Sequence, residues 1–147
     1  MPSAIDWRSV REVIGLLNRT AAGGGNLLLN VGPAPDGSVP PEAVERLQSV
    51  GQWVDAHGEA MYGDVDRADG RMEWMPTGGW SLKGNTAYYW CNRWPGSELA
   101  IGGLQMPVRE ITLLTTGDEI AFEQSADRLV MRGLPQTSPD LATGVAV

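Results

Sequence analysis

The sequence of 147 residues predicts an α/β segment followed by an all-β region, with the change between them near residue 63. Two stretches carry apolar residues three and four positions apart, which is typical of amphipathic helices, and they flank one continuous apolar run. Beyond residue 63, short apolar runs alternate with turn-forming residues, as they do in antiparallel β domains. We therefore expect two units, residues 1–63 and residues 64–147.

The first predicted helix covers residues 4–18. Its apolar residues recur at helical spacing and give the helix one buried side; they are Ile5, Val10, Val13, Ile14 and Leu17. The run Gly23-Gly24-Gly25 follows, and glycine readily takes the left-handed conformation that ends helices. Because this run precedes an apolar segment instead of following one, it is not expected to bind phosphate.

Residues 27–31, Leu-Leu-Leu-Asn-Val, are predicted to form a strand that is buried on both faces, because the run is almost continuously apolar. Such a strand belongs to a parallel sheet covered by helices, and residues 1–63 offer no second strand to pair with it. An unpaired strand would leave backbone groups open along two edges. We therefore expect residues 1–63 to be the last part of a larger α/β barrel or sheet.

The turn after this run is a candidate functional position, because α/β barrel enzymes build their active sites at the C-terminal ends of their strands. Asn30 stands at that end and is therefore a candidate position, although it could equally serve only the turn. Asp36 lies in the Gly-Pro-Ala-Pro-Asp-Gly turn that follows. We expect it to bond to its own backbone and to shape the turn.

The second predicted helix begins at Pro40 or Pro41, since the first turn of a helix tolerates proline, and it ends at Gly58. Its predicted buried stripe consists of Val44, Leu47, Val50 and Val54.

Short strands separated by turn residues are predicted throughout the second unit, which favours an antiparallel β-sandwich. They are residues 80–82, 86–92, 98–101, 108–114, 119–123, 128–131 and 144–147.

The composition restricts the partners and the chemistry. Eleven basic and eighteen acidic residues give a formal charge of −7, which argues against nucleic acid or an anionic membrane, because phosphate binding relies on Lys and Arg. No apolar run approaches the roughly 20 residues of a membrane-spanning helix. Cys91 is the single cysteine, so an intrachain disulfide and a thiolate metal cluster are both excluded.

Two other candidate sites are weak. His57 is the sole histidine, so neither a paired metal site nor a Ser-His-Asp triad is expected, and we predict a role at the surface or at the helix C-terminus. Residues 63–70 suggest a calcium loop, but Ala68 and Met75 occupy positions where an EF-hand requires ligands. We expect a solvated linker there.

The chain has six tryptophans, four of which fall in the β region: Trp74, Trp80, Trp90 and Trp94. Aromatic side chains fill the cores of sandwiches, and they also stack on sugars. We predict that these four belong to the core.

Residues 25–63, GNLLLNVGPAPDGSVPPEAVERLQSVGQWVDAHGEAMYG, resemble the last strand and helix of the catalytic barrel of α-L-fucosidases, glycoside hydrolase family 29. The segments TAYYWCNRWP, LAIGGL, ITLLTTGDEIAFEQ and DRLVMRGLPQTSPD are similar to strands of that family's β-sandwich. The resemblance covers nearly the whole chain. It implies the terminal helix–strand–helix of a (β/α)8-type barrel, followed by an antiparallel β-sandwich domain.

The resemblance also implies a retaining exo-hydrolase that removes terminal α-L-fucose from a glycan or glycoconjugate, without a metal or an organic cofactor. In this family the nucleophilic aspartate and the histidines that hold fucose come from earlier barrel strands, and no residue of this chain matches those motifs. No catalytic residue is therefore assigned, and we expect the chain alone to be inactive. Asn30, at the end of the last barrel strand that the resemblance implies, is the one residue that we predict to contact the sugar. Its expected partners are the glycan and the remainder of the barrel; a homo-oligomer stays open.

Two alternatives remain at this point. The aromatic density of the β region would also suit a stand-alone carbohydrate-binding or structural module. A glycosidase of another type could share the same barrel end.

Overall fold

The computed structural model describes residues 7–67, 78–140 and 144–146, with side chains for all of these except Arg67 and residues 144–146. Two helices come first, and strands follow. The helices are α1 (Val10–Ala22) and α2 (Pro41–His57), and a 3-10 turn (Gly58–Ala60) directly follows α2. The strands are β1 (Asp66–Arg67), β2 (Gly78–Lys83), β3 (Thr86–Cys91), β4 (Glu98–Gly102), β5 (Thr112–Leu113), β6 (Ala121–Gln124), β7 (Arg128–Arg132) and β8 (Gly144–Ala146).

The strands form two sheets, and every pairing between them is antiparallel. One sheet has the order β1-β2-β3-β8-β5, and the other has the order β4-β7-β6. A shared core joins the sheets, because Trp80 and Tyr89 of the first sheet lie in one buried cluster with Leu99, Leu129 and Met131 of the second.

The helices cover the other face of the larger sheet. Val13 and Ile14 of α1 and Trp53 of α2 pack in a second buried cluster with Tyr88 and Trp90 of β3. Strand β3 therefore lies between two cores, and successive side chains of a strand point to opposite faces. This position explains why residues 87–91, Ala-Tyr-Tyr-Trp-Cys, are apolar without alternation.

The first helix begins later than predicted, at Val10 instead of residue 4, and residues 1–6 lie outside the described part of the chain. Ser9 and Glu12 form a capping box: the Glu12 backbone N–H donates to Ser9 Oγ over 3.2 Å, and the Ser9 backbone N–H donates to Glu12 Oε2 over 2.7 Å. The helix ends at Ala22, and Gly24 has a φ of 64°, as predicted for the glycine run.

The bounds predicted for the second helix are confirmed, with Pro41 as its first residue and Gly58 as its C-cap. The predicted stripe is partly wrong. Val50 is buried, but 37% of the surface of Val44 and 39% of that of Leu47 are exposed to solvent. The buried face of α2 is completed instead by Ala43, Trp53 and His57.

The strand predicted at residues 27–31 is not present, since residues 25–34 form neither helix nor strand. The prediction of burial on both faces is also wrong, because 86% of the surface of Leu28 is exposed to solvent. A strand exists only where a neighbour accepts its backbone hydrogen bonds, and none of the described strands pairs with this run.

Five of the predicted strands coincide with β2, β3, β4, β7 and β8. The strand predicted at residues 108–114 is reduced to Thr112–Leu113. Its early part lacks a ladder partner: the Val108 backbone N–H donates to the side-chain oxygen of Gln124 over 2.9 Å. The strand predicted at residues 119–123 is shifted to Ala121–Gln124.

Candidate functional site

The turn after Asn30 has the local structure that its sequence predicts. Asp36 Oδ1 accepts hydrogen bonds from the Ser38 hydroxyl over 2.7 Å and from the Ser38 backbone N–H over 3.0 Å. These bonds favour the ionised carboxylate, and the pKa of Asp36 is lowered from its ordinary value. The predicted turn-shaping role of Asp36 is confirmed. Asn30 itself is exposed in the irregular segment before this turn, and its contact with a substrate stays a prediction.

Four large apolar side chains between residues 28 and 47 are exposed. Leu28 lies in the irregular segment, Val39 lies just before α2, and Val44 and Leu47 lie on one flank of the buried face of α2. Where such side chains form one patch, the patch is typical of places that another protein segment covers. We call these four residues the exposed apolar group.

His57 is buried with only 2% of its surface exposed, so the prediction of a surface position is wrong, whereas its position at the C-terminus of α2 is as predicted. The imidazole stacks on the Trp53 ring with centroids 4.6 Å apart. Its Nδ1 lies 2.8 Å from the Trp53 carbonyl oxygen, and its Nε2 lies 3.1 Å from Asp140 Oδ2. No sequence pattern predicts the contact with Asp140, because the two residues are far apart in the chain.

This cluster does not have the arrangement of a nucleophilic triad. A triad places the carboxylate on one ring nitrogen and leaves the other to accept the nucleophile's proton. Here Asp140 faces Nε2 and a backbone carbonyl faces Nδ1, so neither nitrogen is left to act as a base. The Thr115 hydroxyl donates to Asp140 Oδ2 over 2.8 Å and lies 3.4 Å from His57 Nε2. The cluster therefore joins parts of the fold and lacks the geometry of a nucleophilic triad.

The tryptophans that the structure describes in the β region serve packing. Trp80 and Trp90 are fully buried, and the Trp90 indole N–H donates to Ser81 Oγ over 3.1 Å. Trp94 packs against the core shared by the sheets, and its indole N–H donates to the Pro135 carbonyl oxygen over 2.7 Å. The prediction of a core role is confirmed for these three, while Trp74 lies outside the described residues.

Metal binding finds no support in the part of the chain that the structure describes: no three His, Cys, Asp or Glu residues are grouped to hold an ion. Most of the weak calcium-loop positions, including Ala68 and Met75, lie outside that part. Burial raises the pKa of the Cys91 thiol to about 12, so this thiol is a core group and not a reactive one. Neither described helix is long and apolar enough to cross a membrane.

Comparison with known proteins gives a consistent result. Residues 2–59 match the family model described as alpha-L-fucosidase. The tissue alpha-L-fucosidase of Homo sapiens is 33% identical over 135 residues, which cover 87% of this chain and 28% of the human protein. The chain thus spans little more than a quarter of the length of this relative.

Solved structures agree in fold. Alpha-L-fucosidase isoenzyme 1 from Paenibacillus thiaminolyticus superposes with a TM-score of 0.85 at 27% identity, over 99% of this chain and 35% of that one. A GH29 alpha-L-fucosidase from Bacteroides thetaiotaomicron, trapped as a covalent intermediate with 2-fluoro-fucosyl fluoride, superposes with a TM-score of 0.81 at 26% identity, over 96% of this chain and 32% of that one.

Two helices packed on an antiparallel sheet, with a second sheet behind it, are thus a portion of a glycoside hydrolase fold. The chain belongs to the α-L-fucosidase family and corresponds to the C-terminal part of such a protein.

Proposed function

We propose that this chain is the C-terminal part of a retaining exo-glycosidase that hydrolyses terminal α-L-fucose from glycans. In this proposal residues 1–63 complete a (β/α)8 barrel, and residues 64–147 form a β-sandwich domain beside it. The sequence identity with the human enzyme over 87% of the chain supports the assignment. The trapped covalent fucosyl intermediate of the Bacteroides relative supports a retaining mechanism.

The observation that carries the proposal is the apolar run at residues 27–31, which pairs with none of the strands that the structure describes. Leu28 is 86% exposed, and the other members of the exposed apolar group, Val39, Val44 and Leu47, are exposed as well. In the complete protein the run would be the last strand of the barrel, paired on both edges by strands from upstream. The exposed apolar group would then be buried against the remainder of the barrel.

Asn30 is the residue of this chain that we place near the sugar. In a barrel, the C-terminal end of each strand opens on the catalytic face, and Asn30 stands at that end of the run. An exposed amide side chain offers both a donor and an acceptor to sugar hydroxyls.

The chemistry itself would come from residues upstream. Retaining glycosidases use two carboxyl groups about 5–5.5 Å apart, one as nucleophile and one first as acid and then as base. Neither group is assigned to this chain, and the reaction needs no metal or organic cofactor. The role of the 147 residues would be to close the barrel and to position Asn30, and the chain alone would be inactive.

The test begins with the source DNA upstream of Met1. An open frame that runs into further β–α units, with paired histidines and a strand-end aspartate, would support the proposal. The longer polypeptide should then hydrolyse 4-nitrophenyl α-L-fucoside and not the β-D-galactoside, while the present chain should hydrolyse neither. Turnover of the α-L-fucoside by the present chain would contradict its assigned inactivity.

Asn30→Ala in the longer polypeptide should lower kcat/KM for the α-L-fucoside about tenfold or more, as loss of a hydrogen bond to a substrate hydroxyl does. Asn85→Ala is the matched control, because Asn85 is an exposed asparagine in the turn between β2 and β3. Equal effects of the two substitutions on kcat/KM would contradict the placement of Asn30 at the sugar site.

A stop codon just before Met1 would instead favour a separate short protein that binds or organises carbohydrate. The burial of Trp80 and Trp90 disfavours that alternative, because a sugar platform requires accessible rings.

A further inference from the structure

A buried histidine and a partly buried aspartate connect the two parts of this molecule. His57 is the last residue of α2, and Asp140 lies shortly before β8, which runs between β3 and β5 in the larger sheet. His57 Nε2 lies 3.1 Å from Asp140 Oδ2. The exposed fraction of the side chain is 3% for His57 and 18% for Asp140. The contact therefore joins the end of the helical part to the segment that leads into an inner strand.

Each ring nitrogen of His57 has its shortest polar contact with an atom that only accepts hydrogen bonds. Nδ1 faces the Trp53 carbonyl oxygen at 2.8 Å, and Nε2 faces the Asp140 carboxylate. A neutral imidazole carries a proton on one nitrogen only, whereas the imidazolium carries a proton on both. The arrangement is thus complete when His57 is charged and Asp140 is ionised.

The charges around the ring agree with this geometry. Burial alone lowers the pKa of His57, but the bonds to Asp140 and to the Trp53 carbonyl, together with the charges of Asp140 and Glu59, outweigh burial and raise it. Asp140 precedes β8, and Glu59 lies in the 3-10 turn after α2. The neighbours Trp90 and Thr115 carry no charge at neutral pH.

We propose that His57 and Asp140 form an acid-stabilised clasp that holds the C-terminal end of α2 against the segment before β8 for as long as the imidazole carries two protons. Loss of one proton leaves two lone pairs facing each other at one of the two contacts, which is unfavourable in a buried site.

The direction of the pH dependence follows from the raised pKa of His57. The stabilisation is fully present below the pKa of an unfolded histidine, about 6.5, and is lost as the pH rises through the higher pKa of the folded state. The clasp is therefore closed in mildly acidic solution and loosens in alkaline solution. This inference does not depend on the proposed glycosidase function.

The test uses the fact that the chain has a single histidine. Its ring proton resonances are followed by NMR over a pH titration, in the folded chain and in concentrated urea. The pKa of His57 should be higher in the folded chain than in urea. A folded-state pKa at or below the value in urea would overturn the proposal, and this measurement needs no variant.

Asp140→Asn should lower the pKa of His57 in the folded chain, because the amide removes the charge that faces Nε2. Asp55→Asn is the matched control: it removes the same charge from an exposed position of α2, two residues before His57. It should leave the pKa of His57 close to the wild-type value. Equal shifts in the two variants would show that net charge, and not the clasp, sets the pKa.

A second readout tests whether the protonation holds the fold together. Between about pH 6 and pH 8 the midpoint of urea unfolding should fall in the wild-type chain, and this fall should be absent or much smaller in His57→Gln. The α-amino group titrates in the same range in both proteins, so the difference between them isolates His57. The same fall in both proteins would overturn the proposal, and if His57→Gln does not fold, the wild-type titration decides.

Discussion

Replacing Leu28 by alanine tests whether the exposed apolar group is a surface built to be covered. Complete burial of a leucine side chain stabilises a fold by about 1.5–3 kcal/mol. Leu28 is 86% exposed, so about one seventh of that effect, roughly 0.2–0.4 kcal/mol, is realised within this chain. Leu28→Ala should therefore lower the free energy of unfolding of the 147-residue chain by less than about 0.5 kcal/mol.

The same substitution should have a much larger effect in the longer polypeptide. A leucine enclosed on both faces of a barrel strand costs about 2–5 kcal/mol when it is cut back to alanine, because a cavity remains. Leu29→Ala provides the control, since Leu29 already packs against the core formed by the helices and β3. It should destabilise the short chain more than Leu28→Ala does.

The assay is urea unfolding followed by tryptophan fluorescence, for both substitutions and both polypeptides. A cost above about 1.5 kcal/mol for Leu28→Ala in the short chain would mean that this side chain is packed internally. A cost below about 0.5 kcal/mol in the longer polypeptide would mean that no barrel covers it. The second result would refute the reasoning behind the proposed function.

Three further substitutions test local features. Gly78→Ala should destabilise the chain by about 1–3 kcal/mol in thermal unfolding, because a Cβ there would collide with the Trp90 carbonyl oxygen. Gly102→Ala is the control: it lies in a roomier strand position and should be near neutral in the same assay. Ser9→Ala should cost about 0.5–2 kcal/mol by removing the N-cap of α1, and an unchanged free energy of unfolding would contradict the capping role. The Cys91 thiol should resist alkylation by iodoacetamide at pH 8 in the folded chain and react in urea, and rapid labelling in the folded chain would show that the thiol is accessible.

Local signals explain which elements the sequence could predict. Pro41 begins α2 and Gly58 caps its C-terminus. Both are local signals, so the ends of this helix could be predicted without knowledge of the rest of the fold. The start of α1 was also encoded locally, in the Ser9-x-x-Glu12 capping box, although apolar periodicity alone placed it at residue 4. Turn residues likewise delimited most of the strands.

The candidate site could be predicted only in part. The turn role of Asp36 follows from a hydrogen bond to a residue two positions further on, which is a local matter. The contact between His57 and Asp140 joins distant positions, and no spacing rule reveals it. The proposed role of Asn30 depends on strand partners that the described part of the chain does not supply.

Two apolar runs show most directly what the sequence determined and what the tertiary structure decided. Residues 27–31 and residues 87–91 are both almost continuously apolar, so the sequence by itself determines that each is suited to burial on two faces. Only residues 87–91 are buried in this way, because β2 and β8 supply their hydrogen bonds and two cores enclose them. Residues 27–31 have no such neighbours among the described strands, and Leu28 stays in solvent. Burial depends on the contacts that distant segments bring, and a segment's own composition does not supply them.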